Sequence, residues 1–308
     1  MIVKNNIKTY TVTWLSGSYD KEQSTGIINN YYIPEDISEF EDLCRKLFLL
    51  KEDFRIIGHS TNVYLRPNTN IKHLISTRLL NTWKSEGNHL ICACGVRVMQ
   101  LTKSMVDEGV KGFAGMVDLP GTVGGAIYGN ASVSEYSIVS LLESVTLLQK
   151  NGEVKVLYPE ELKFTVRSSA LKRHEIDGVI LSCKLRKEYG DKTEILQQAM
   201  YIHKWRKENQ PGPARNLGTT ALLDKATLWG HVTRATAKLC CYMTKPVDPV
   251  AYKTNIILRL TGFSSLSPYL RGLNRFMWID SAAHTLFDNY KKFINRIYRN
   301  PNLEIEVW

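Results

Sequence analysis

A chain of 308 residues, 44% hydrophobic and 23% charged, is long enough to bury a large core and to divide into two or three domains. No apolar run reaches the ~18 residues of a membrane span, and "MIVKNNIKTYTVTW" lacks a signal-peptide core and cleavage site, so a cytoplasmic protein with no membrane partner is expected. The formal charge of +10 favours anionic partners in general, but acidic residues interrupt most basic stretches and no basic helix or aromatic-basic ribbon marks a nucleic-acid site.

In chain order, "IINNYYI" (27–33) leads to "EDISEFEDLCRKLFLLKE", where Ile37, Phe40, Leu43, Leu47 and Leu50 recur at helical steps. "DFRIIGHSTNVYL" follows as a short strand broken by a Gly-His-Ser-Thr-Asn turn, and together these read as a βαβ unit. "HLICACGVRV" reads as a strand, and "VMQLTKSMVDEGVKG" as a helix stopped by Gly109 and Gly112. "SIVSLLESVTLLQKNGEVKVLYPEEL" predicts two strands joined by an Asn-Gly turn, "GVILSCKLRK" another strand, and "KTEILQQAMYIHKWRKENQP" a long helix ended by Pro211. "PGPARNLG" (211–218) is the best boundary candidate, since two prolines and two glycines cannot continue a helix or central strand. Beyond it, "NIILRL" predicts a strand, "SAAHTLFDNYKKFINRIYR" a helix with Leu286, Tyr290, Phe293 and Ile297 on one face, and "NLEIEVW" a short strand.

The six cysteines, Cys44, Cys92, Cys94, Cys183, Cys240 and Cys241, have neither zinc nor redox spacing and read as reduced thiols in the core; no metal is expected. The stretch that calls for explanation is "DLPGTVGGAIYGNA" (118–131), rich in glycine yet apolar. Glycine admits positive φ and close approach, and leaves peptide N–H groups free to face an anion such as a diphosphate. The spacing is neither the dinucleotide-binding G-x-G-x-x-G nor a P-loop, and by itself it is equally consistent with a tight structural turn.

It stands in an ordered series: "GHSTNVYL" (58–65), "GFAGMVDLPGTVGGAIYGNA" (112–131), "EELKFTVRSS" (160–169), "RKENQP" (206–211), "NLGTT" (216–220) and "LEIEV" (303–307). In that order these resemble the motifs of the UDP-N-acetylenolpyruvoylglucosamine reductases of peptidoglycan synthesis. The resemblance implies an α+β fold: an FAD-binding domain of the vanillyl-alcohol-oxidase type made of two α+β subdomains (1–70 and 71–200), plus a smaller α+β substrate-binding domain (201–308). It implies FAD, with NADPH as hydride donor, acting on an enolpyruvyl UDP-sugar, in a monomer or weak oligomer.

By the same resemblance, Gly58, His59, Ser60, Thr61 and Asn62, with Pro120, Gly121, Thr122, Gly124, Gly125, Ala126 and Asn130, hold the FAD diphosphate and ribose, backbone amides supplying the donors. Arg167 steadies the enolate, Thr219 stands at the family's proton-donating serine, and Glu306 assists proton transfer. The pattern breaks after Thr219, where "TALLDK" lacks the family's lysine, and residues 224–272 match none of its motifs. Val166 replaces a tyrosine, Ala114 a common glutamate, and His59 with Ser60 stand where a glycine is usual; Lys225, Lys245 or Arg271 are candidate replacements for the lost cations. Two alternatives stay open: a different FAD oxidoreductase acting on another nucleotide sugar, and a non-catalytic flavin- or nucleotide-binding relative.

Overall fold

The computed structural model describes residues 1–9, 25–66, 68–133, 136–209, 218–223, 225–277 and 282–308. Two compact units are present: Met1–Lys8, Ile27–Ser60 and Asn70–Gln210 form the first, and Thr9–Gly26, Thr61–Thr69 and Pro211–Trp308 the second. Of the boundary segment "PGPARNLG", only Gly218 lies within the described residues.

The chain begins with β1 (Ile2–Thr9), β2 (Thr25–Ile33), α1 (Ile37–Leu49) and β3 (Phe54–Ile57); β4 (Val63–Tyr64) belongs to the second unit, and β5 (Asn70–Ser76) returns to the first. Helix α1 forms as its pattern dictates. Asp36 caps it by accepting from the Glu39 amide at 2.9 Å, and Phe40, Leu43, Cys44 and Leu47 are buried. Leu50 departs from the expected face because the helix ends before it, and it is 59% exposed. The βαβ reading holds in direction but not in adjacency. Strands β2 and β3 both run parallel to β5, which the sequence reading missed and which inserts between them to give the order β1-β2-β5-β3. In "NIKHLIS" burial alternates only over Asn70–His73 and is continuous from Leu74 to Ser76, and a polar histidine takes one of the buried places, so the period-two signal is short.

A second sheet of the first unit follows from β6 (Trp83–Glu86), β7 (His89–Ala93), α2 (Val98–Glu108), α3 (Val123–Tyr128), β8 (Ser132–Val133), β9 (Tyr136–Ser137), β10 (Leu142–Gln149), β11 (Val154–Leu157), β12 (Gly178–Arg186) and α4 (Lys192–Asn209). Its order is β11-β10-β12-β7-β6, antiparallel throughout. The expected β10–β11 hairpin closes with Leu148 opposite Val154, and α2 stops at Gly109 in a left-handed cap with φ 78°. Helices α1, α2 and α4 share one core with this sheet, in which Cys44, Cys92, Cys94 and Cys183 are buried; Cys240 and Cys241 in the second unit are only half-buried.

The second unit continues with β13 (Ala221–Leu222), β14 (Lys225–Ala226), α5 (Leu228–Thr244), α6 (Pro249–Thr261), α7 (Ala282–Ile297), β15 (Tyr298–Arg299), β16 (Asn302–Leu303) and β17 (Glu306–Val307). Helix α7 is as expected, burying Tyr290, Phe293 and Ile297 together with Phe287 and Ile294. "NIILRL" is not a strand: it forms the second half of α6. Asp248 caps this helix, Pro249 occupies its first turn, Gly262 closes it at φ 82°, and Thr254, Ile257, Leu258 and Thr261 are buried at helical spacing. A short apolar run carries no period of its own, and the deciding signals lay at its flanks. "NLEIEVW" also divides, β16 pairing antiparallel with β13 and β17 parallel with β4.

The helical register of α6 makes an uneven prediction. Ile257→Ala and Leu258→Ala each lose about 2–5 kcal/mol as buried truncations, whereas Leu260→Ala at an exposed position loses less than about 0.5 kcal/mol. Denaturant midpoints check this, and equal losses at 258 and 260 would restore the strand.

Candidate functional site

In the first unit the turn after β3 meets the glycine-rich stretch. A Cβ on Gly58 would lie 2.5 Å from Thr122 Oγ1, so only glycine permits this approach without displacing the threonine. Ser60 is buried in a left-handed conformation with φ 53°. His59 is half-buried; burial, and then the positive charge of Arg97, hold its imidazole below the usual 6.5.

Thr122 is the N-cap of α3, its hydroxyl accepting from the Gly125 amide at 3.3 Å, and Gly121 ahead of it turns the chain with φ 105°. Gly124 packs against Cys94, whose Cβ would stand 2.9 Å from an added Cβ. The amides of Val123, Gly124 and Ala126 donate to the carbonyls of Val96, Cys94 and Thr122, each at 2.8 Å. From Val123 onward the amide donors are therefore spent on the fold, and an anion on this stretch is left with the residues ahead of the helix. Much of what comes close to this backbone is the protein itself.

Arg167 sits on a two-residue turn. Thr165 and Ser168 exchange both of their backbone hydrogen bonds, at 3.0 and 3.1 Å, and Arg167 takes a left-handed φ of 56° while Val166 is 78% exposed. Two contacts fasten the turn to the end of the glycine-rich stretch: Asn130 Nδ2 donates to the Thr165 carbonyl and Ser169 Oγ to the Tyr128 carbonyl, both at 2.7 Å. Asn130 also accepts from Ser137 Oγ of β9 at 3.2 Å, so the amide that holds the turn is itself held at its other end. Arg173, which carried no sequence signal, braces the turn by donating to Thr165 Oγ1, Ser168 Oγ and the Lys163 carbonyl at 3.2, 3.4 and 2.9 Å. At the stretch's other end, His203 of α4 contacts the Asp118 carboxylate at 2.6 Å, and Arg206 donates to the Asp118 carbonyl at 3.1 Å.

In the second unit Asn62 and Glu306 belong to one hydrogen-bonded framework, which reaches Thr220 next to Thr219. The Glu306 amide donates to the Asn62 carbonyl at 2.8 Å, and Asn62 Nδ2 to the Glu304 carbonyl at 3.1 Å. Thr220, fully buried, donates to the Asn274 carbonyl at 2.7 Å and accepts from the Glu304 amide at 2.9 Å, fixing the backbone next to Thr219. The Trp308 amide donates to the Tyr64 carbonyl and the Arg66 amide to the Trp308 carbonyl, each at 2.8 Å, which ties down the strand that carries Glu306. Lys225, Lys245 and Arg271 are all exposed. Arg275, which the sequence reading passed over, is half-buried beside Asn274; burial lowers its pKa and Glu304 opposes that shift.

No family model matches the chain. It is 27% identical over 183 residues to the UDP-N-acetylenolpyruvoylglucosamine reductase of Caldicellulosiruptor saccharolyticus, covering 58% of this chain and 57% of that one. It is 29% identical over 196 residues to that of Lactobacillus delbrueckii subsp. bulgaricus, covering 63% and 64%. The matched region thus spans less than two thirds of these relatives' lengths. The crystal structure of the reductase from Thermus caldophilus superimposes with a TM-score of 0.66 at 20% identity, over 92% of this chain and 94% of that one, so the α+β fold is shared.

The environment of His59 predicts a pH dependence. With its folded pKa depressed, the unfolded chain binds more protons below 6.5, so the stability His59 contributes is present above that pH and lost as pH falls through its folded value. An NMR titration of the ring is expected to give a midpoint below 6.5, rising in Arg97→Gln; a parent midpoint above 6.5 contradicts the burial assigned to it.

Proposed function

We propose that this chain, a divergent relative of the UDP-N-acetylenolpyruvoylglucosamine reductases, is an FAD-dependent, NADPH-using reductase of an enolpyruvyl UDP-sugar in the cytoplasm. The observation that carries the reading is the fastening of the Arg167 turn to the glycine-rich stretch through Asn130 and Ser169. A candidate anion loop and a candidate enolate-stabilising cation are thereby built into one support.

The residues fit a dinucleotide. Neither 58–62 nor 120–126 contains an acidic side chain, and Arg97 supplies positive potential at His59. Gly58 to Ser60 and Pro120 to Thr122 would hold the diphosphate, with Thr61 and Asn62 toward the ribose. When bound, the flavin supplies hydride relay from NADPH to the vinyl carbon of the substrate.

The chain's own groups then have distinct tasks. Arg167 would stabilise the enolate oxygen, since a guanidinium stays charged and offers several coplanar donors. Thr219 would deliver the proton from its hydroxyl, with the main chain next to it held by the backbone bonds of Thr220. Glu306 would assist that transfer. The missing lysine after Thr219 leaves the UDP-sugar anchor to other cations, and half-buried Arg275 suits that task better than the exposed Lys225, Lys245 or Arg271.

Purified protein is expected to take up FAD and turn yellow, to bleach with NADPH, and to recover its oxidised spectrum on addition of UDP-N-acetylglucosamine enolpyruvate. Arg167→Ala and Glu306→Gln should keep the flavin and the bleaching while slowing recovery by about 100-fold or more. Thr219→Ala should slow it less than Thr219→Val, which keeps the bulk and loses the proton. Colourless protein that ignores added FAD removes the reading; bleaching without recovery redirects it to another acceptor.

A further inference from the structure

Helix α5 has three strips. Gly230, Thr233 and Ala237 form its buried one. Opposite them, at positions that a 3.6-residue period places together, stand Leu228, Val232, Leu239, Tyr242 and Met243, with exposures of 79% at Leu228, 60% at Leu239 and 78% at Tyr242. This inverts the usual arrangement, in which large apolar residues face the core and small ones are free. His231, Arg234 and Lys238 run along one flank, and the helix contains no acidic residue. Beyond its end Lys245 is exposed and Val247 fully so. Between positions 225 and 261 six cations (Lys225, Arg234, Lys238, Lys245, Lys253, Arg259) face one carboxylate, Asp248, which is occupied in capping α6.

We propose that this face of α5 docks on an anionic phospholipid surface, lying in its plane with Leu228, Val232, Leu239, Tyr242 and Met243 in the headgroup boundary and Lys238 and Lys245 on lipid phosphates. A helix with large apolar residues on one side and cations on its flank is the kind that partitions into such an interface, and opposite charge draws it there. A second copy of the same face is a poor occupant. An antiparallel two-fold pairing would bring the cationic flanks together with no acid in either helix to offset them. The sequence reading assigned no membrane partner because the outward strip can be recognised only once the small residues are known to face the core.

Flotation of the full chain with vesicles tests this. Binding is expected to vesicles of phosphatidylcholine and phosphatidylglycerol in equal parts, weakening in high salt, and not to phosphatidylcholine alone. Leu239→Glu, Tyr242→Glu and Lys238→Glu should each weaken binding by about tenfold or more, with far-ultraviolet circular dichroism and thermal midpoint as in the parent. Should one variant fail to fold, the other two carry the test. Equal binding to both vesicle types, binding to neither, or variants that float like the parent overturns the proposal. A concentration-dependent dimer abolished by Leu239→Glu, without flotation, assigns the face to a second copy instead; capture of an acidic protein without flotation likewise overturns it.

Discussion

Thr122 is the residue on which the candidate site in the first unit depends. Its hydroxyl caps α3, its backbone bridges to Arg97, and its side chain fills the space that a Cβ on Gly58 would need. One buried threonine thus sets the relation of three segments: the turn after β3, the chain leaving β7, and the start of α3. The amides of α3 then close onto Val96 and Cys94, so the stretch is rigid before any ligand arrives. Asn130 and Ser169 extend that rigidity to the Arg167 turn, and Arg173 braces it from the other side. A left-handed arginine backbone is costly by itself, and it persists here because Thr165 and Ser168, on either side of the two-residue turn, are pinned.

The second unit holds its candidate residues differently. Thr219 and Glu306 are placed by short ladders in which Thr220, Asn274, Glu304 and Asn62 exchange backbone and side-chain hydrogen bonds. Backbone-built sites tolerate side-chain change, because what they use is the course of the main chain; a histidine can follow Gly58 as long as the turn survives. Sites built from side-chain charges change with each residue. This difference is a physical reason why the motifs of the proposed flavin half stay readable while the segment after Thr219 does not.

Several elements were plain in the amino-acid order. Helix α1 has a cap and an apolar stripe, α2 has its glycine stop, and β10–β11 has its Asn-Gly turn; in each the decisive interactions are local. Glycine and turn residues likewise announced the Gly58 turn and the glycine-rich stretch by type, whereas Arg167 was singled out by the family resemblance alone. Missed were β5, whose burial alternates over only four residues, and the helical state of "NIILRL", whose caps lie outside the run.

What the chain determined by itself, then, was local backbone geometry: where it turns, caps, alternates and needs glycine, because those preferences are satisfied within a few residues. Only the tertiary structure decided which partner each surface received. It placed β5 between β2 and β3, gave the amides after Thr122 to Val96 and Cys94, turned Asn130 toward the Arg167 turn, and left the large residues of α5 facing outward. Those outcomes are set by which distant groups compete for the same donors and the same apolar space, a competition that no short window of sequence contains.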